Sequence, residues 1–290
     1  MKKSLIILLL LIAALLYHII ISIDFFSALL QTVQKGSPFY LTNYIFPIIL
    51  LFNLLGILIF AFSNYKRTAL LRIVLLYFIF SQMFFFLIRI LNAVSEDQDL
   101  ILKIEIRHFT MWIVAIGLNT YILLYLQKQL KPKLTKHNNE FEFTGVSKMQ
   151  RLLHRIVDII FVFCFLYYNI DFIDRIIFVL TKSENSFLST IGYIFNYQDR
   201  IYLPVYFSLF FYYLISEGIF NTSMGKIILG NTIVDEIAGR PNTKQRIGRT
   251  FARLIPFEAL SFIFLYRGWH DSITETYVVK TDKSSKNENE

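Results

Sequence analysis

The sequence predicts an all-α membrane protein of about six transmembrane helices, with a short re-entrant or interfacial segment and a small cytoplasmic β-hairpin-like cap. Three observations carry this reading. Of 290 residues 55% are hydrophobic, among them 30 Phe and 17 Tyr, more apolar surface than a soluble domain of this length can bury. Six runs, at about 4–23, 39–62, 69–89, 108–126, 152–170 and 201–220, approach the roughly 20 residues that cross about 30 Å of hydrocarbon. Finally, basic and non-basic loops alternate between those runs.

The first run follows Lys2 and Lys3 as a signal peptide would. It stays apolar through "LLYHIIISI" to Ile23 without a small-x-small cleavage site, so a retained span is expected. The next loop is basic, with Lys66 and Arg67. Residues 91–107 are not, with Glu96, Asp97, Asp99 and Glu105 against Lys103 and Arg107. The segment 127–148 is basic again and holds Pro132, which makes it a polar cytoplasmic linker. Residues 171–200 carry Asp171, Asp174, Glu184 and Asp199, and beyond Phe220 come Lys226, Arg240, Lys244, Arg246, Arg249 and Arg253. This alternation places the N-terminus in the cytoplasm. Leu254–Tyr266, interrupted by Pro256 and Glu258, is too short to span, so the C-terminus is expected there too.

The expected organisation is a four-span module (1–126), a linker (127–148), a more polar membrane domain (149–280) and a disordered tail (281–290). Pro47 and Gly56 are tolerated within transmembrane helices. Asn43, Asn53, Gln82 and Asn119 are the few other polar groups of the first module, and Arg72 reads as snorkelling to the headgroups. His18 and His108 read as hydrogen-bonded or interfacial. Two β-branched segments, Lys226–Val234 and Thr274–Val279, are expected to pair as the cap, since each edge alone leaves backbone groups unsatisfied. Cys164 is the single cysteine, so the chain holds no internal disulfide and no thiolate metal cluster. A net charge of +8 fits basic cytoplasmic loops, and no nucleic-acid partner and no cofactor is expected.

Charge at the membrane entrance is the feature that calls for chemistry. "RLLHRIVDII" (151–160) opens the fifth run with Arg151, His154, Arg155 and Asp158, although an Asp or Arg at the bilayer centre costs roughly 2.5–3.5 kcal/mol. Arg151, Arg155 and Asp158 stand at i, i+4 and i+7, on one helix face. Further polar sets follow: "SEGIFNTSMGKIILG" with Glu217, "RIGRTFAR" with Arg246, Arg249 and Arg253, and "RGWHDSITETYVVK" with His270 and Asp271. The "GK" is not a phosphate loop, because Phe220 stands where the upstream glycine should be and Ile227 where Ser or Thr should be. An ion-pair network is expected, joining Asp158 and Asp271 to arginines, with Arg151 or Arg155 and Arg249 or Arg253 among them. A purely structural ion pair at the membrane entrance weighs about as much as a functional site.

These sets, in this order, resemble the RDD family of bacterial membrane proteins, named for an arginine and two aspartates. The resemblance covers about 149–280. By position it implies Arg151 as the arginine, with Arg155 as the runner-up, Asp158 as the first aspartate and Asp271 as the second. His154 departs from the family, which usually has a small residue there. The resemblance implies a multi-pass protein of the inner (plasma) membrane and, as function, transport of a cation, proton or small solute. The alternative is a membrane scaffold, with a protein partner or a second copy on its aromatic spans. An intramembrane enzyme is not expected: HExxH, Gly-x-Ser-x-Gly and paired carboxylates in a span are all missing from the sequence.

Overall fold

The structure is a computed structural model and describes residues 2–21, 42–95, 101–132, 134–137, 140–143, 145–181, 186, 189, 202–253, 255, 261 and 268–281. Four long helices come first: α1 (Lys2–Ile21), α2 (Thr42–Phe62), α3 (Ala69–Ser95) and α4 (Ile101–Lys128). The chain divides into two units, one of residues 1–82 and 110–126, the other of 83–109 and 127–290. The second unit therefore takes in the end of α3 and the start of α4 as well as the expected linker and membrane domain.

In the first unit α1, α2 and α4 each bury a stripe and leave an apolar face outward, while α3 is covered nearly all round from Leu71 to Gln82. On α1, Ile7, Leu11, Ala14, Leu15 and His18 are buried, while Leu5, Leu9, Leu16 and Ile20 are exposed. On α4, Ala115, Asn119, Ile122 and Leu126 repeat at helical spacing on the buried side, with Ile113, Val114 and Tyr121 outside. A helix that is apolar on its outer face as well as its inner one has lipid, not water, as its solvent. Among the described residues, Thr110–Lys128 is the helical stretch long and apolar enough to cross a membrane by itself, and Ser4–Ile20, Ile48–Phe62 and Ala69–Met83 are shorter apolar stretches. The six expected spans are thus only partly matched. Most side chains of the fifth expected span beyond Phe163, and the start of the sixth, lie outside the described residues.

The first unit's polar groups meet inside it. His18, Gln82 and Asn119, from three helices, close a ring of hydrogen bonds. Gln82 Nε2 donates to His18 Nδ1 at 3.1 Å, His18 Nε2 to Asn119 Oδ1 at 3.4 Å, and Asn119 Nδ2 to Gln82 Oε1 at 3.3 Å. His18 also stacks on Phe78, centroids 3.9 Å apart. Arg72, expected to reach outward to the headgroups, is buried instead, 4% exposed.

The second unit begins in the expected linker, where β1 (Leu134–His137) and β2 (Glu140–Phe143) pair antiparallel, Leu134 opposite Phe143. Residues 127–148 are therefore not a plain polar connection. Ser147 then caps α5 (Lys148–Thr181), its Oγ accepting from Gln150 N at 3.3 Å. Next come α6 (Tyr202–Tyr213), a π-helical turn Leu214–Ile219, α7 (Met224–Leu229), β3 (Asn231–Val234), α8 (Thr243–Ala252), α9 (Trp269–Ile273) and β4 (Tyr277–Lys280). An Asn242/Gln245 capping box starts α8.

The expected cap forms, with two corrections. β3 and β4 pair antiparallel, Asn231 opposite Lys280 and Val234 opposite Tyr277, so the partners are distant in sequence and not a hairpin. Lys226–Leu229, read as strand, belongs to α7, which Gly230 ends at φ 68°. Thr281, assigned to the disordered tail, bridges Pro132 and donates its N–H to Gly230 O at 3.0 Å. Gly145 bridges Val279, so the linker's two ends border the cap. Apart from Ile255 and Ser261, the expected re-entrant segment 254–266 lies outside the described residues, as do the tail residues 282–290 and His108's side chain.

Candidate functional site

On α5 the polar face is inward. Arg151, His154 and Asp158 are buried and Arg155 is half-buried, whereas Leu152, Ile156, Ile160 and Phe163 point out. Gly225 brings α7 against this face. A Cβ there would lie 2.7 Å from His154 Cα, so only glycine allows the approach. The approach is also what satisfies Asp158. Its Oδ1 accepts from Gly225 N at 2.8 Å and from Tyr212 OH at 2.6 Å, and its Oδ2 from Tyr213 OH at 3.4 Å. Tyr212 in turn accepts from Met224 N at 2.8 Å.

Two other carboxylates anchor the ion pairs. Glu217 sits fully buried in the π-turn, where Phe220 N reaches back five residues to Ile215 O at 3.4 Å. Such turns recur at functional sites because they break the regular ladder of backbone hydrogen bonds. Arg253 grips Glu217 in a fork, Nη1 to Oε2 at 2.7 Å and Nη2 to Oε1 at 2.8 Å. Arg249 Nε donates to Oε2 at 3.2 Å, and Lys226 Nζ to Oε1. Asp271, on α9, takes Arg249 Nη1 on Oδ1 and Arg151 Nη1 on Oδ2, the latter at 3.3 Å. Arg249 also donates to Thr276 Oγ1 and so joins both carboxylates and the β4 approach.

Histidines complete the cluster. His270 Nε2 stands 3.3 Å from both Asp271 Oδ1 and Arg253 Nη2. His154 Nε2 accepts from Asn231 Nδ2 at 2.7 Å, tying α5 to β3. The Arg253 guanidinium lies 4.0 Å over the Tyr213 ring, which links the Glu217 group to the Asp158 group.

Burial alone would raise the Asp271 carboxyl; Arg249, then His270 and Arg151, outweigh it and hold it well below the usual carboxylate range. Burial lowers the Lys226 ammonium, against the opposing pull of Glu217.

The expected site residues therefore come together, with one difference. Arg151, Asp271, Glu217, Arg249, Arg253 and His270 form a connected set, and Arg155 lines the cleft beside them. Asp158 was expected on an arginine. Among the described residues it pairs with no cation, because two tyrosines and the Gly225 N–H occupy its oxygens.

Sequence reasoning missed Tyr212, Tyr213, Lys226, Asn231 and Thr276. The tyrosine pair carried a signal, since a buried phenol in a Phe-rich span needs a partner for its hydroxyl. Arg151, His154, Arg155, Asp158, Tyr213, Lys226, Arg253, His270 and Asp271, with Val278, line a cleft of about 20 Å³. That is room for about one water. Among the described residues no three His, Cys, Asp or Glu side chains are grouped to hold a metal ion.

A multi-helical chain with apolar outer faces and a buried charge cluster under a small cap is an integral membrane protein. The model of the RDD family matches residues 146–270, in agreement with the resemblance read from the sequence. Asp271 lies one residue beyond the match. No curated protein and no solved structure matches the chain.

Proposed function

We propose that this protein moves a proton or a small inorganic ion across the membrane, with Asp158 as the exchanging group. The observation that carries the reading is the contrast among three buried carboxylates. Glu217 and Asp271 are held by arginines and lysine; Asp158 is held by hydroxyls and one backbone N–H beside a water-sized cleft. Exchange at Asp158 breaks no ion pair, and an ionisable residue at membrane depth by default marks an ion path. A cleft of about 20 Å³ favours a water-sized species over a larger solute in this conformation.

Six spans with both termini in the cytoplasm complete the proposal. Introducing Ser285→Cys in a Cys164→Ser background should leave that position unreactive to an impermeant thiol reagent in intact cells, and labelling there would overturn the topology.

The flux test is direct. In liposomes, purified protein should dissipate an imposed proton or sodium gradient, and Asp158→Asn should lose this at normal folded yield. The substitution keeps the acceptors for Gly225 N and Tyr212, so a collapse in yield would favour a second reading. That reading is a scaffold, supported by the arginine and lysine saturation of Glu217, whose charges would lock the cap onto the helices. Absence of flux, with a co-purifying membrane partner or a stable homo-oligomer, would decide for it.

A further inference from the structure

Outside the charge cluster, two arginines share an acceptor. Arg240 Nη2 and Arg246 Nη1 both donate to the carbonyl of Ile219, at 3.3 and 3.1 Å, where the π-turn ends the helix. Neither forms an ion pair among the described residues, and Arg246 Nε has no hydrogen-bond partner. Asp235, in the same turn, pairs with neither arginine; its Oδ1 accepts from Ile237 N and Gly239 N. Glu236 is exposed and pairs with neither arginine. Two guanidiniums drawn onto one carbonyl repel each other, and an anion set between them would relieve this.

The surroundings are apolar. Ile237 is 87% exposed and Phe251 53%, with Ile219 and Ile247 also exposed. Phe251 packs edge-on to Phe210 of α6, centroids 5.5 Å apart, so the α8 face continues the apolar surface of the helix that enters the membrane. Arginine forks bordered by aliphatic and aromatic side chains at a helix end match a phosphate that carries acyl chains.

We infer that Arg240 and Arg246 bind the phosphate of an anionic phospholipid in the leaflet against which the cap lies, with Ile237, Ile247 and Phe251 among its acyl chains. The inference rests on the membrane reading and not on ion movement, so flux and lipid binding fail separately.

Lipid retention and thermal unfolding of the purified full chain test it, with added phosphatidylglycerol, phosphatidylcholine or inorganic phosphate. Phosphatidylglycerol should be retained and raise the unfolding midpoint, while the other two do neither. Arg240→Ala with Arg246→Ala should weaken retention roughly thirtyfold, at about one surface charge's worth per arginine. Lys244→Ala, on the same helix, should leave it unchanged, and the paired Arg→Lys variant should restore part of it. Equal retention of phosphatidylcholine by the unaltered chain, equal stabilisation by free phosphate, or an equal loss with Lys244→Ala would each overturn the inference. The first two need no variant to fold.

Discussion

Asp271 and Gly225 show how single residues hold this site. Because the folded Asp271 carboxyl is held below its ordinary range, its contribution is full above the unfolded value and lost as pH falls through the folded one. The stability difference between the natural chain and Asp271→Asn should therefore be constant above about pH 5 and shrink below about pH 4. A difference that grew on acidification would contradict the ion pairs to Arg249 and Arg151. Gly225→Ala tests the approach of α7 to α5. The new methyl would meet the His154 backbone, which cannot swing aside as a side chain can, so a loss of at least about 1–3 kcal/mol is expected by denaturant unfolding. A neutral result would mean that the two helices part easily.

At the scale of elements, the π-turn and α8 act as a pair. Glu217 faces Lys226, Arg249 and Arg253, so Glu217→Gln leaves three buried cations sharing a neutral acceptor. Removing one member of a buried pair typically costs about 3–5 kcal/mol, and folded yield should fall accordingly. Unchanged stability would show that water already reaches those cations.

Much of this arrangement was legible in the sequence. Charges at i, i+4 and i+7 on α5 announced an inward polar face, and two β-branched segments announced the ribbon of β3 and β4. What stayed hidden was three-dimensional. Nothing local says that "GKIIL" is helix, because its β-branched residues favour strand while Gly225 is selected by contact with a helix some 70 residues earlier. Nor does the sequence say that Asp158 faces tyrosines, since Tyr212 and Tyr213 reach it only once α6 packs on α5. The strands of the linker were hidden too: "LTKH" and "EFEF" are short and polar, and only their pairing with each other defines them.

For the whole molecule, the apolar outer faces of α1, α2, α4 and α5 and the RDD match of residues 146–270 agree on a membrane location. Within the second unit ion pairs at Glu217 and Asp271 tie α5, the π-turn, α7, α8 and α9 together, and a hydrogen bond from Asn231 to His154 ties β3 to α5. Among the described residues Asp158 stands beside them without a cation. On the proposed function the labour is divided: two carboxylates hold the structure and the third exchanges. Proton or sodium flux per folded protein in liposomes, compared among the natural chain, Asp158→Asn, Glu217→Gln and Asp271→Asn, tests this most directly. The expected result is that Asp158→Asn folds normally and carries no flux, while the other two lose folded yield and whatever folds still conducts. Full flux through Asp158→Asn would contradict it.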